Sequence, residues 1–212
     1  MPRLPTITGR DRWLALWERL GRAVPDESLH HDLLACYSEP HRKYHTVQHL
    51  DECFERLSEV TEEATHLGEV ELALWFHDAI YDTKRQDNEE RSADWARSTV
   101  LAAGLPTSAA ERVHALIMAT RHDAVPAGTD ERILVDVDLS ILGAMPGRFA
   151  EYENQVREEY SWVPAIVFRS KRRAILEQFL KRPTIFSTQK FIQGYEPQAR
   201  RNLEQSIRQL GG

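Results

Sequence analysis

Long apolar runs and clustered cysteines are both missing from this chain of 212 residues. No stretch approaches the roughly eighteen apolar residues that a transmembrane helix needs, so we expect no membrane span. The opening segment, residues 1–12, lacks an apolar core and is not typical of a signal peptide. Only Cys36 and Cys53 are present, without a Cys-x-x-Cys motif, so neither a disulfide framework nor a thiolate zinc site is indicated. A reducing cytoplasm is the expected location.

An excess of positive charge is also missing. The chain has 27 Lys and Arg against 33 Asp and Glu, and its formal net charge of -6 argues against binding to bulk nucleic acid. One segment departs from this balance, because residues 169–201 contain nine basic and only two acidic side chains. These basic residues either form solvated helix faces or contact, in part, a substrate that bears phosphate.

Alternation of apolar and polar residues is scarce, and the apolar spacing is helical along nearly the whole chain. We therefore predict an all-α fold, in a single compact helical-bundle domain covering residues 1–212. A core with the candidate site would span about 26–145, and helices at about 146–210 would pack on it. The predicted helices lie at about 10–20, 26–37, 47–60, 69–81, 87–104, 107–121, 130–143, 146–160, 164–181 and 197–210.

Three His-Asp dipeptides occur, and their surroundings separate them. His31-Asp32 lies in a mixed polar helix, where a surface role is expected. His77-Asp78 lies in the predicted helix 69–81, and its neighbours three and four positions away are apolar: Ala73, Leu74, Trp75, Ile80 and Tyr81. A buried imidazole beside a buried carboxylate is costly, and a divalent metal compensates both. A pair that only bonds nearby backbone groups is the structural alternative.

Two other predicted helices supply further candidates. At the same offsets Asp138 has only apolar neighbours and therefore needs a metal, a cation or several donors, whereas Asp136 is expected to be half-exposed. His45 and His49 are four residues apart, which places both on one face of a helix. We expect His49 to be a fixed metal ligand and His45, at the first turn, to be a mobile general acid. Two partly exposed histidines at a helix start are the alternative.

The order His…His-Asp…Asp in an all-helical setting resembles the HD superfamily of metal-dependent phosphohydrolases. The segment Tyr44-His-Thr-Val-Gln-His49 also resembles the opening motif of the cyclic-nucleotide phosphodiesterases of that superfamily. The resemblance implies that His45 is the leaving-group acid and that the metal positions are His49, His77, Asp78 and Asp138. Residues 79–82, Ala-Ile-Tyr-Asp, depart from the phosphodiesterase pattern, so cyclic-nucleotide specificity is not implied.

The chain as a whole resembles a bacterial family of predicted HD phosphohydrolases of about this length. The matching stretches are residues 44–49, 75–82, 88–93, 151–160, 169–188 and 196–203. This resemblance implies a class of chemistry and does not indicate one substrate.

Together these observations predict a metal-dependent phosphohydrolase that cleaves a phosphate ester with metal-activated water. The nitrogen and oxygen ligands suit one or two divalent ions, drawn from Mn, Fe, Co, Ni and Zn, with Mg at an oxygen-rich second position. The expected partner is a small phosphorylated substrate, a nucleotide among the candidates; the oligomeric state is left open. Candidates for substrate contact or for support of the ligands are Asp82, Lys84, His122, Arg157 and Arg169, with Tyr160 and Arg172 from the same tail.

Two alternatives stay open. A di-iron oxygenase of the HD type uses two extra histidines between the His-Asp pair and the final Asp, and His114 and His122 occupy that interval. A non-catalytic nucleotide-binding module of the same fold usually lacks one of the ligands, and this chain has all four.

Overall fold

The computed structural model describes residues 7–24, 26 and 28–211, and it confirms the all-α class, because no β-strand occurs among those residues. The α-helices in this part of the chain are α1 Arg10–Arg19, α2 Leu29–Cys36, α3 Val47–Leu57, α4 Leu67–Phe76, α5 Asn88–Ala102, α6 Thr107–Ala119, α7 Thr129–Asp138, α8 Pro146–Glu159, α9 Ala165–Lys181, α10 Gln189–Gly194 and α11 Glu196–Leu210. Two 3-10 helices, Thr61–Glu63 and Leu139–Gly143, precede α4 and follow α7.

No helix of the described ranges combines the length and the apolar character that crossing a membrane requires. Residues 1–6, part of the segment on which the signal-peptide prediction rests, lie outside the described residues. The chain divides into two compact units, Met1–Val137 and Asp138–Gly212. The predicted limits of a single domain, with a core at about 26–145 and packed helices at about 146–210, stay a prediction.

Helix α4 is the centre of the first unit. Every residue from Gly68 to Phe76 is buried, so this helix is enclosed on all sides rather than along one stripe. It packs against α1, α3, α5 and α6. Helix α1 buries Trp13, Leu16 and Trp17, and the Trp13 ring meets the Trp75 ring of α4 edge to face at 5.3 Å. Because α4 is enclosed, the chain that continues from its last turn begins in the protein interior.

Two buried carboxylates of α4 are paired with arginines of neighbouring helices. Glu71 accepts hydrogen bonds from Arg12, at 3.1 Å, and from Arg19, both on α1. Glu69 accepts two from Arg112 of α6, at 2.6 and 2.7 Å. Because a buried carboxylate is tolerated only with such partners, these pairs determine where α1 and α6 cross α4.

The second unit is built around α11, which packs against α9, α10 and the 3-10 helix Leu139–Gly143. The side-chain amide of Asn202 donates to the carbonyls of Leu142 and Ala144, both at 2.8 Å. A Cβ atom at Gly143 would lie 2.8 Å from Cβ of Tyr195 and 2.9 Å from its carbonyl oxygen, so this contact requires glycine.

Two predicted helices end earlier in the structure, and one helix of the structure was not predicted. Helix α4 ends at Phe76, not near Tyr81, and the helix predicted for 130–143 changes to 3-10 geometry after Asp138. The six-residue helix α10 was not predicted, because so short a segment depends on tertiary packing. Its Phe191 is fully buried and contacts the rings of Phe186 and Tyr195.

Candidate metal centre

The His-Asp pair follows the last turn of α4 and does not lie within a helix as predicted. His77 is the C-terminal cap residue, and Asp78 lies in the turn after it. The correction has a physical reason, since the last four carbonyl oxygens of a helix need donors from elsewhere. All four are satisfied here: Ala73 O by His77 N, Leu74 O by His77 Nδ1, Trp75 O by the Tyr37 hydroxyl and Phe76 O by Ala79 N.

This helix end also determines the tautomer of His77. Its Nδ1 lies 2.8 Å from the carbonyl oxygen of Leu74, which can only accept, so Nδ1 carries the proton. In the neutral ring, which is the form that binds a metal, the lone pair is then on Nε2. A backbone carbonyl that holds one ring nitrogen while the other faces a site is the usual arrangement of a metal-binding histidine. The ring itself is 1% exposed.

Three potential ligand atoms, one of them on that ring, lie close together. His77 Nε2 lies 3.2 Å from His49 Nε2 and 3.1 Å from Asp78 Oδ2, and the last two atoms are 3.6 Å apart. A single proton can form a hydrogen bond in only one of these contacts, whereas one divalent ion can bind all three atoms. With metal–nitrogen bonds of about 2.1 Å, neighbouring ligand atoms are about 3.0 Å apart in an octahedral site and about 3.4 Å apart in a tetrahedral one. The three distances fit a single ion.

A fourth and a fifth donor lie at the same place. His49, Cys53, His77 and Asp138 form a group whose ligand atoms all lie within 4.8 Å of one another, the one such group among the described residues. Asp78 is outside this group, although its Oδ2 contacts both imidazoles. The Asp78 carboxylate is nevertheless placed to bind the same ion, because an anionic oxygen beside two imidazoles offsets the charge of an ion directly. The cluster can hold a metal ion.

Asp138 is the last residue of α7, and the preceding residues of that helix belong to the first unit. The structure places it in the group as predicted, half-buried. The expectation for Asp136 was wrong, because this residue is 0% exposed. The reason is that α7 is buried on both of its sides, from Ile133 to Val137, so no face in this stretch is open to solvent.

Cys53 was not predicted as part of the site. It is 1% exposed on α3, one helical turn after His49, and its Sγ lies 3.7 Å from both ring nitrogens of that histidine. The four-residue spacing carried this signal in the sequence. The lack of a Cys-x-x-Cys motif counts against a site made of thiolates, but it does not bear on a single thiol beside imidazoles.

The charges around Asp78 favour its ionised form. Burial raises the pKa of Asp78, but the positive charges that His77, His45 and His49 carry when they are protonated, with the hydrogen bond that protonated His77 donates, outweigh burial and hold this pKa below 3.8. Burial, followed by the negative charge of Asp78, also raises the pKa of the enclosed Tyr37 hydroxyl well above 10.0. That hydroxyl accepts a hydrogen bond from the Asp78 amide at 3.3 Å, so it acts on the turn as a neutral group.

His45 lies beside the cluster but not on a helix. Helix α3 begins at Val47, after the cap residue Thr46, so the prediction that His45 occupies its first turn was wrong. The cause is the cap itself, since the Thr46 hydroxyl accepts from the Gln48 amide and starts the helix one residue later than His45. The His45 ring is half-buried, 6.0 Å from the His49 ring and 4.1 Å from the Tyr81 ring.

The loop after the pair contains two predicted residues, both exposed. The Asp82 carboxylate accepts a hydrogen bond from the Lys84 amide at 2.9 Å, and the Asp82 backbone pairs with the Asn88 side chain. These contacts organise a turn between α4 and α5. Lys84 is exposed on this turn. The roles predicted for both residues stay predictions.

The additional histidines lie outside the group of metal donors found in the described part of the chain. His114 Nε2 lies 3.6 Å from Asp94 Oδ1, where α6 packs against α5. His122 follows α6 with a φ of 57°, the one positive value among the described residues other than glycine. A left-handed residue is common just after a helix, so this conformation fits a helix-end histidine.

The arginines that were predicted to contact phosphate lie in the second unit, and two of them bond other groups of that unit. Arg157 donates to the carbonyls of Tyr160, at 2.7 Å, and Val163, at 3.1 Å. Arg172, which is half-buried, donates to the Tyr152 hydroxyl and to a carboxylate oxygen of α8. Arg169 is exposed on α9. A contact of Arg169 or Arg157 with substrate phosphate stays a prediction.

Comparison of the chain with models of protein families, with curated proteins and with solved structures gave no match.

Proposed function

We propose that this protein is a metal-dependent phosphohydrolase of the HD type, which cleaves a phosphate ester with a metal-activated water. The observation that carries the proposal is the convergence of His49 Nε2, His77 Nε2 and Asp78 Oδ2 within 3.1–3.6 Å beside a half-buried imidazole, His45. The convergence supports a bound ion, and the adjacent imidazole supports proton transfer at the same place.

A divalent ion in this cluster supplies a polarised water for attack and positive charge for the phosphoryl oxygens. The candidates are Mn, Fe, Co, Ni, Zn and Mg, as one or two ions. Two imidazoles favour the transition metals, and a thiol at the position of Cys53 favours them further over Mg. Asp78 contributes the negative charge that balances the ion, and its turn holds it against both imidazoles.

His45 is proposed to donate a proton to the leaving oxygen. His45 is half-buried, whereas the cluster residues His49 and His77 are only 2% and 1% exposed. A substrate therefore reaches His45 first. Tyr81 supports one side of its ring at 4.1 Å. A positioned acid is needed most where the leaving group is a poor one, such as an alcohol or a sugar hydroxyl.

The proposed substrate is a small phosphorylated molecule, with nucleotides among the candidates, and the proposed location is the cytoplasm. Cys36 and Cys53 are both thiols that form no disulfide, as expected in a reducing compartment.

The test begins with metal-free protein reloaded separately with each candidate ion. Each form is assayed on phosphomonoesters, phosphodiesters and nucleotides. The best substrate is then compared with its p-nitrophenyl analogue, whose p-nitrophenolate leaving group departs without needing a proton. We expect His45→Gln to slow the natural leaving group by about 100- to 10,000-fold and the p-nitrophenyl group far less.

The matched control is His31→Gln, at a side chain that is 86% exposed in the surface His-Asp dipeptide. It should retain wild-type rates on both substrates. Loss of hydrolysis with no dependence on the leaving group would contradict the role of His45. Absence of hydrolysis with every ion would contradict the proposed function.

A further inference from the structure

Arg42 is the most thoroughly enclosed arginine near the cluster. It lies between α2 and α3, three residues before His45, and its side chain is 0% exposed. Its guanidinium lies 5.3 Å from the centre of the Tyr37 ring and 5.4 Å from that of the Tyr81 ring. Arginine is rarely buried to this degree unless its donors all have partners.

Those partners are the backbone of the two segments that meet at the cluster. Nη1 of Arg42 donates to the carbonyl oxygen of Asp78 at 2.6 Å and to that of His45 at 3.3 Å. Nη2 donates to the carbonyl oxygen of Ala79 at 2.9 Å, and Nε donates to the Glu39 carboxylate at 2.9 Å. One guanidinium therefore bonds both the backbone of His45, in the segment before α3, and the turn after α4.

We propose that Arg42 is a positioning residue of the metal centre, which fixes the backbone of His45 relative to that of Asp78. The proposal rests on the function proposed above. Arg42 contacts the backbone carbonyls of Asp78 and His45 and not the Asp78 carboxylate or the His45 ring, so it acts on both residues through the main chain.

The planar fork of an arginine suits this role, and a lysine does not. Carbonyls of three residues are reached by two nitrogens held at a fixed angle, while Nε faces a fourth partner. A lysine ammonium is a single point charge that cannot hold three separated carbonyls together. Arg42→Lys therefore keeps the charge and removes the fixed spacing.

The experiment compares Arg42→Lys with Arg200→Lys. Arg200 is a close structural match in the second unit, since it donates to the carbonyls of Leu180, Arg182 and Pro183 and to the Glu196 carboxylate. Both variants are measured for thermal midpoint, for the Kd of Co²⁺ on the folded protein, and for kcat and KM. We expect Arg42→Lys to weaken Co²⁺ binding by about 10- to 100-fold and to lower kcat more than KM. Arg200→Lys should lower only the thermal midpoint.

A wild-type Kd for Co²⁺ in folded Arg42→Lys would overturn the proposal, because Arg42 would then be purely structural. If Arg42→Lys does not fold, the thermal midpoint and the Co²⁺ affinity of Arg42→Ala are measured with and without added methylguanidinium. Joint recovery of the thermal midpoint and the Co²⁺ affinity supports the proposal, and any other result overturns it. Wild-type protein that binds no Co²⁺ refutes the metal centre itself, whereas wild-type binding with an unchanged Arg42→Lys refutes Arg42 alone.

Discussion

Replacing the Asp78 carboxylate by an amide is the most direct perturbation of the proposed centre. Asp78→Asn keeps the shape of the side chain. It also leaves the backbone contacts of the turn in place, because Tyr37 and Arg42 bond the main chain of Asp78 and not its carboxylate. The fold should persist, while the anionic oxygen beside the two imidazoles is lost.

The expected magnitude follows from linkage between binding and folding. Metal at 100 times its Kd stabilises the folded protein by about 2.7 kcal/mol. For a chain of this size that corresponds to a rise in thermal midpoint of roughly 5–11 °C. If loss of the carboxylate weakens binding about 100-fold, the same metal concentration stabilises the variant by only about 0.4 kcal/mol, or roughly 1–2 °C.

The assay is thermal unfolding with and without excess Co²⁺, followed by circular dichroism. The matched control is Asp32→Asn, the same change in the exposed His31-Asp32 dipeptide, where the side chain is 54% exposed. This control should keep the full wild-type shift. An equal metal-induced shift in Asp78→Asn and Asp32→Asn would refute the assignment of Asp78 as a ligand.

Three further outcomes are expected. Competition titration should show Zn²⁺ or Co²⁺ binding more tightly than Mg²⁺, because imidazoles surround the site, and the reverse order would exclude these ligands. In the metal-free protein the lowered pKa of Asp78 means that its ionisation stabilises the fold above pH 3.8 and that this contribution is lost as the pH falls further. Asp78→Asn should therefore lose less stability on acidification in urea unfolding; equal losses would contradict the pKa shift. Glu71→Gln should lower the free energy of unfolding by about 1–2 kcal/mol, since Arg12 and Arg19 lose a buried carboxylate but stay partly solvated. An unchanged urea midpoint would show that this pair does not stabilise α1.

Helical class and most helix positions were predictable because their signal is local. The predicted stripe of Trp13, Leu16, Trp17 and Leu20 repeats every three to four residues, and the structure buries the first three and half-buries Leu20. The choice of His77-Asp78 among three dipeptides rested on apolar neighbours, of which Ala73, Leu74 and Trp75 are buried, whereas Ile80 and Tyr81 are half-buried. Burial of a local apolar pattern is therefore the part of the site that sequence reasoning handles well.

Arg42 and the end of α4 were not predictable in the same way. Nothing local distinguishes Arg42 from a solvated loop arginine, because its partners Asp78 and Ala79 lie 36 and 37 residues later. Nor do residues 77–81 contain a helix breaker. Helix α4 ends where the Tyr37 hydroxyl and the His77 ring take over its last carbonyls, and the first of these comes from another segment.

The sequence by itself determined the all-helical class and a short set of acid and imidazole side chains in apolar surroundings, because both depend on patterns within a few turns of chain. Only the tertiary structure decided that His49 and His77, 28 residues apart, place their Nε2 atoms 3.2 Å from each other. It also decided that Cys53 joins them and that His45 lies outside its helix. The physical reason is that ligand geometry is set by how helices cross, and the crossings are determined by buried contacts between distant segments.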